Sequence, residues 1–380
     1  MKEVYLDYNA TCPVAEEVIR AMEPYFSRYF GNPSSGHRWG QAAREALEEA
    51  RRRLAQVLGV RPEEVVFLSG GTEANNAAIF GSLMAQPQKR HIITSQVEHP
   101  SVLNPCLRLL ERGYEVTFVS VDETGLVDPD DIRRAIRRDT GLITIMQANN
   151  EVGTIEPIAE IGALAREAGV PFHVDAAQAM GKIPVRPDEL LCDYLTLAGH
   201  KFYAPKGIGA LYIREGAPFS PLLSGAGQEK GRRPGTEPVA LAVGLSRAAE
   251  LVTKDLAQEA QRQKALRDQL HEGLLALWPR LILNGHPKQR LPNTLNVSFL
   301  GLEASEILSR APAIMATTGA ACHDRSVSVS HVLAAMGRGP EEGKGTIRFS
   351  LGRPTTKEEI DQTLEILERC LKSHGASGGG

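Results

Sequence analysis

Four residue types in this chain stand where they can do chemistry. Lys201 closes Gly199-His200-Lys201, just after the apolar run Tyr194-Leu195-Thr196-Leu197. A lysine partly buried at a strand end can lose its proton near neutral pH and attack a carbonyl as a Schiff-base residue. Asp175 ends another apolar run, in Val174-Asp175-Ala176-Ala177-Gln178. Open α/β sheets place ligands at such strand ends, where a carboxylate can keep a ring nitrogen protonated; it can equally cap the next helix. His99, in Val97-Glu98-His99-Pro100-Ser101, can stack on an aromatic ring and move protons, or can simply pack. Cys322 sits among small residues in Thr317-Thr318-Gly319-Ala320-Ala321-Cys322-His323. As a thiolate it is a nucleophile; a small buried thiol fits the same wording. Ser69-Gly70-Gly71-Thr72-Glu73 lets backbone approach a phosphate at a helix start, though an ordinary tight turn reads the same way.

The elements that position these residues alternate. Val65-Val66-Phe67-Leu68, His91-Ile92-Ile93-Thr94, Val116-Thr117-Phe118-Val119, Leu142-Ile143-Thr144-Ile145-Met146 and Phe172-His173-Val174 are short apolar strands. Tyr194-Leu195-Thr196-Leu197 and the run 208–213 continue the series, with helical patterns such as 158–167 between them. This alternation predicts a mostly parallel sheet covered on both faces. Residues 239–277 form a proline-free helical stretch with room for one break. Beyond Pro279 shorter units follow: a strand at 295–299, a helix at 305–310, a strand at 346–351 and an amphipathic helix at 356–371. That change marks a second, smaller α+β domain, and the Gly/Ser-rich stretch 373–380 reads as a flexible tail.

Length and charge exclude several alternatives. The 380 residues suffice for about two domains, and 42% hydrophobic with 23% charged residues is ordinary for a globular protein. The net charge of −3 gives no footprint for nucleic acid or an anionic membrane. No apolar run is long enough for a membrane span and no signal peptide opens the chain, so a cytoplasmic location is expected. Five scattered cysteines without a CxxC pair point to neither a disulfide framework nor a zinc site, and no metal is expected.

Taken together and in order, these segments resemble the cysteine desulfurase family, class V aminotransferase-like enzymes of PLP fold type I. The resemblance runs over nearly the whole chain: Tyr5-Leu6-Asp7-Tyr8-Asn9-Ala10-Thr11, Gly31-Asn32-Pro33-Ser34-Ser35, Gly70-Gly71-Thr72-Glu73, Ala148-Asn149-Asn150-Glu151-Val152-Gly153-Thr154, Asp175-Ala176-Ala177-Gln178, Gly199-His200-Lys201, Arg233-Pro234-Gly235-Thr236-Glu237 and Arg348-Phe349-Ser350-Leu351-Gly352-Arg353. It implies an α/β fold with a seven-stranded, mostly parallel sheet. The large domain would be 14–258, and the small domain 1–13 with 259–372, carrying Cys322. It implies pyridoxal 5'-phosphate bound to Lys201, with Asp175 on the ring nitrogen, Gln178 on the ring hydroxyl and His99 stacked on the ring. Gly71, Thr72 and His200 would hold the phosphate, and Thr236 would reach the phosphate site of a partner in an obligate homodimer. Asn32, Asn150 and Arg348 would bind the substrate carboxylate, Asn150 also lying against the cofactor. The implied reaction converts L-cysteine to L-alanine while Cys322 takes the sulfur as a persulfide for an acceptor or scaffold protein in iron–sulfur or thio-cofactor assembly. Two departures, Ala198 in place of a phosphate-binding serine and Gly319-Ala320-Ala321-Cys322-His323 in place of Gly-Ser-Ala-Cys-Thr, look closer to the selenocysteine lyase branch. They keep selenocysteine open as the alternative substrate.

Overall fold

The computed structural model describes residues 2–318, 320–321 and 328–375. Seven strands form the main sheet: β1 (Val65–Leu68), β2 (His91–Ser95), β3 (Glu115–Val119), β4 (Thr140–Met146), β5 (Phe172–Asp175), β6 (Tyr194–Ala198) and β7 (Gly209–Ile213). Their order across the sheet is β1-β7-β6-β5-β4-β2-β3. The pairs among β3, β2, β4, β5 and β6 are parallel, and β7 runs antiparallel to both neighbours. Every residue of β1 and β4 is buried, so β1 is a continuous apolar run and β4 carries only Thr140 and Thr144 as polar residues.

Helices cover both faces. On one side lie α1 (Arg38–Leu58), α4 (Ile158–Ala168) and α5 (Val239–Thr253), with Leu47, Leu54, Ile161 and Leu245 in one core with Ile143 and Ile145 of β4. On the other lie α2 (Gly71–Met84) and α3 (Pro100–Leu110), whose Ala78, Ile79 and Val102 meet Leu142. Neighbouring residues of β4 therefore serve opposite cores, as the two-residue strand period requires.

A second core belongs to an antiparallel four-stranded sheet. It contains β8 (Leu281–Asn284), β9 (Thr294–Phe299), β10 (Thr317–Thr318) and β11 (Thr346–Ser350), in the order β10-β11-β9-β8. Leu270 and Leu274 of α6 (Leu256–Leu277) and Ile360 and Leu367 of α7 (Lys357–Gly375) pack on it, together with Val4 and Leu6 from the chain start. The predicted helical stretch 239–277 is thus two helices, broken at Lys254 and Asp255. The last helix runs through Gly375, so the tail expected from Ser373 begins as helix.

The loop that carries Thr236 is anchored by a buried ion pair. Glu229, at φ 47°, accepts from Arg51 at 2.7 and 2.8 Å and from the Phe67 amide at 3.0 Å. Its side chain is 2% exposed and that of Arg51 is 6% exposed. Removing one partner of such a pair leaves the other charge buried and unpaired. Glu229→Ala is therefore expected to lower the free energy of unfolding by about 3–5 kcal/mol in chemical denaturation. A loss below about 1 kcal/mol would show that Arg51 finds another partner or water.

Candidate active site

The ends of β5 and β6 and the start of α2 converge on a cavity of about 460 Å³. Lys201, Asp175, His99, Gly71, Thr72, Asn150, Gln178, His200 and Arg348 all line it, so nine of the predicted residues share one site.

Lys201 ends a single helical turn after β6, and its Nζ donates to the carbonyls of Asn9 at 2.7 Å and Ala10 at 2.9 Å. Burial, then the nearby Arg348 charge, push its pKa down to about 8. The neutral amine, the form that attacks a carbonyl, is therefore far more populated near physiological pH than in an ordinary lysine.

Asp175 and His99 are joined by a network the sequence did not announce. Asn75 donates through Nδ2 to Asp175 Oδ2 at 2.7 Å and to Ser101 Oγ at 2.8 Å. The Ala177 amide donates to Asp175 Oδ1 at 2.9 Å. His99 caps α3, where its Nδ1 accepts from the Ser101 amide at 3.1 Å and lies 2.7 Å from Ser101 Oγ. With Ser101 Oγ already accepting from Asn75, its own proton points to His99 Nδ1. The ring proton then belongs on Nε2, an assignment from the network. Burial lowers the His99 pKa, which favours this neutral ring.

The start of α2 is built for an anion. No side chain caps it, and its first amides are free of helical partners. A Cβ on Gly71 would sit 3.0 Å from the Ala198 Cβ, so glycine here keeps backbone close to β6. The missing Ala198 hydroxyl leaves this end to backbone amides, Thr72 and His200. Burial first, with Lys201 and Lys206, lowers the His200 pKa to about 4, so it can donate one hydrogen bond there but carries no charge. The residues present fit a phosphorylated pyridine aldehyde: an amine, a buried carboxylate, a neutral histidine and an open helix start.

Arg348 on β11 donates to the Asn150 carbonyl at 3.0 Å and to Asp7 Oδ1 at 2.7 Å, while its buried Nε has no partner among the described residues. Asp7 therefore orients the expected carboxylate clamp, a role its place in the N-terminal motif did not reveal. Gln178 accepts at Oε1 from Lys182 Nζ at 2.6 Å and donates through Nε2 to the Asn9 carbonyl at 3.0 Å.

Three predicted residues are not brought together here. Asn32 is exposed and uses Oδ1 to accept from the Ser34 amide at 2.9 Å, closing its own turn. Its expected carboxylate contact is not made within the chain. Thr236 is exposed on a loop tied to α2 by Arg233–Glu73 at 3.0 Å and does not line the cavity. Cys322 lies outside the described residues. The strand leading towards it places Thr317 opposite Arg348, with Oγ1 3.3 Å from Nη2.

The class-V aminotransferase family model matches residues 4–363, and the chain belongs to that family, whose members depend on pyridoxal phosphate. It is 47% identical to the cysteine desulfurase IscS of Dictyoglomus turgidum, over 98% of this chain and 95% of that protein. It is 49% identical to cysteine desulfurase 2 of Trichormus variabilis, over 97% and 92%. Among solved structures, a NifS-like protein superposes with a TM-score of 0.92 at 37% identity, over 98% of this chain and all of that one. SspA in complex with cysteine superposes with a TM-score of 0.81 at 38% identity, over 92% and 98%.

Lys182 carries a measurable consequence. It is buried, has no ion pair among the described residues, and its pKa falls to about 7 through burial; Cys12 opposes the fall, while Lys201 and Arg348 add to it. An unfolded lysine titrates at the ordinary 10.5. Between these values the folded state binds fewer protons, so this group makes stability rise with pH and is most unfavourable below about 7. Lys182→Met in the cofactor-free protein should gain on the wild type by ~2 kcal/mol as the pH falls from about 9 to about 7. A stability difference that does not change with pH would contradict a buried, depressed lysine.

Proposed function

We propose that the chain is a pyridoxal-phosphate-dependent cysteine desulfurase, converting L-cysteine to L-alanine while Cys322 becomes a persulfide. The observation that carries the reading is the convergence of the Lys201 amine, the Asp175 carboxylate and the Arg348 guanidinium on one cavity. The relatives named above act, by their names, on cysteine, which favours the sulfur substrate over selenocysteine.

Each residue then has a physical task. Bound pyridoxal phosphate supplies an electron sink for the bond-breaking at the substrate's α-carbon. Lys201 would hold the cofactor and, once displaced by substrate, move the α-proton with its depressed pKa. Asp175, fixed by Asn75, would hold the ring nitrogen protonated, and Gln178 would face the ring hydroxyl. His99 would cover the ring face as a neutral imidazole. Gly71, Thr72 and His200 would hold the phosphate by hydrogen bonds. Arg348 and Asn150 would grip the substrate carboxylate, with Asp7 keeping the guanidinium in register. Thr317 of β10 stands beside Arg348, in the strand just before the stretch that carries Cys322. The balance is closed: the substrate C–S bond breaks, an S–S bond forms at Cys322, and cysteine plus the enzyme thiol yield alanine plus the enzyme persulfide.

The persulfide would pass to a sulfur-acceptor or scaffold protein in iron–sulfur or thio-cofactor assembly. A homodimer is part of this reading, supported by Phe26, Phe30 and Trp39, large apolar side chains 63, 61 and 45% exposed. Thr236, exposed on its anchored loop, would then serve the partner's phosphate. No helix among the described residues is long and apolar enough to cross a membrane, and we place the protein in the cytoplasm.

Three experiments test this reading. Cys322→Ala should keep the change in cofactor absorbance on adding cysteine, because binding needs Lys201 and Arg348 but not the thiol. Its alanine and sulfide production should fall by at least ~100-fold. Wild-type protein given cysteine without reductant should gain the mass of one sulfur on the peptide bearing Cys322. Sulfur on Cys12, Cys106, Cys192 or Cys370 instead would overturn the nucleophile assignment. Asp175→Asn should keep the fold while lowering turnover by ~100-fold or more and shifting the cofactor absorbance; unchanged kinetics and spectrum would remove Asp175 from the ring nitrogen.

A further inference from the structure

A second and larger concavity lies away from the cofactor cavity, where the turn 182–184 faces the break between α5 and α6. Its volume is about 830 Å³, within the roughly 300–1,000 Å³ span of small-molecule sites. Much of its wall is apolar: Ile183, Pro184, Leu256, Ala257, Ala260 and Pro292.

The polar part of the wall is one-sided. Lys182, Arg267 and Arg290 are buried in it, and Lys254, Lys264 and Lys288 stand exposed around it. Asp255 is the one carboxylate among the lining residues, and both its oxygens are taken by Arg353 at 2.7 Å. Just behind, Asp268 is shared by Lys264 at 2.8 Å, Arg267 at 2.6 Å and Arg290 at 3.5 Å. One carboxylate cannot neutralise three cations, and among the described residues neither Lys254 nor Lys288 forms a close ion pair that would lower the excess. The chain as a whole carries −3, so this is a local concentration of positive charge against the overall balance.

Arg290 shows the deficit most clearly. It is 7% exposed, and its Nε and Nη1 have no hydrogen-bond partner among the described residues. Burial, with repulsion from Arg267, lowers its pKa to about 10, which is the mark of a buried guanidinium short of counter-charge. The start of α6 adds to the same field. This 22-residue helix has no side-chain cap, and Leu256, Ala257 and Gln258 of its first turn line the cleft.

We propose that this cleft binds an amphipathic organic anion, a carboxylate, sulfonate or phosphate ester carried on an apolar body. The anionic group sits toward Arg290 and the start of α6, and the body lies on Ile183, Pro184 and Pro292. Lys182 belongs to this wall and donates to Gln178, which lines the cofactor cavity, so a single hydrogen bond separates the two cavities.

The test uses the cofactor-loaded protein, in which the phosphate end of the other cavity is filled. Titration with 8-anilinonaphthalene-1-sulfonate, followed by its fluorescence, should show one saturable site per chain. Phenyl phosphate should displace the dye, and benzyl alcohol at the same concentration should not. Lys288→Glu and Arg290→Met should each weaken dye binding by about tenfold. Lys288 is exposed, so its charge reversal leaves the core alone and keeps the test valid if the Arg290 variant folds poorly. No saturable binding in the wild type, unchanged affinity in Lys288→Glu, or equal displacement by benzyl alcohol would each overturn the proposal.

Discussion

Asn9 is the joint on which the active site depends. It is 1% exposed, and every polar group it owns is used. Its carbonyl accepts from Lys201 at 2.7 Å and from Gln178 at 3.0 Å. Its Oδ1 accepts from Lys182 and Asn293, its Nδ2 donates to Thr294 Oγ1 and the Asn150 carbonyl, and its amide donates to Ser350 Oγ. Lys201, Gln178, Lys182 and Asn150 lie in segments that follow strands of the seven-stranded sheet, while Thr294 and Ser350 are in the four-stranded sheet and Asn293 stands just before it. A few N-terminal residues thus fix the cofactor lysine against the strand that presents Arg348. Because buried polar groups left unpaired are costly, the two sheets cannot shift relative to each other here without breaking several hydrogen bonds at once.

Electrostatics gives that joint its chemical use. Lys201, Lys182 and Arg348 bring positive charge into a low-dielectric site, and burial makes both lysines easier to deprotonate. Asp7 holds Arg348 and Asp175 faces the ring position, so the cations are oriented without being fully neutralised. A site of this kind attracts an amino acid's carboxylate and a phosphate while keeping an amine reactive. The neutral histidines His99 and His200 fit the same pattern, since further positive charge there would be expensive to bury.

Much of this was legible from the chain. The strand expected at Val65-Val66-Phe67-Leu68 has those bounds in the structure, because a strand buried on both faces leaves a continuous apolar run between polar turns. Lys201, Asp175 and Gly71 were legible because each follows such a run, and the strand ends of one sheet edge meet in space. The strand Leu281–Asn284 was not singled out, since four residues after a Trp-Pro pair carry too little periodicity. Asn75, Asp7 and Lys182 were missed as contributors for another reason. Their partners are far away in sequence, as with Asp7 and Arg348, and nothing local marks an Asn that bridges Asp175 to Ser101. Lys182 alone left a trace, standing four residues after Gln178. Asn32 closes its own turn, and nothing in the sequence announced that contact.

The central claim is that Lys201, of the two lysines with lowered pKa near this cavity, is the one that holds the cofactor. Lys182 is the built-in competitor: it lies one contact away, through Gln178, and its pKa is lowered further. Geometry separates them, because Lys201 lines the cavity and Lys182 does not. Borohydride reduction of the pyridoxal-phosphate-loaded protein, followed by peptide mass mapping, decides the matter. The account predicts a phosphopyridoxyl group on the peptide at Lys201 alone; the same mass on Lys182, or on neither lysine, would contradict it.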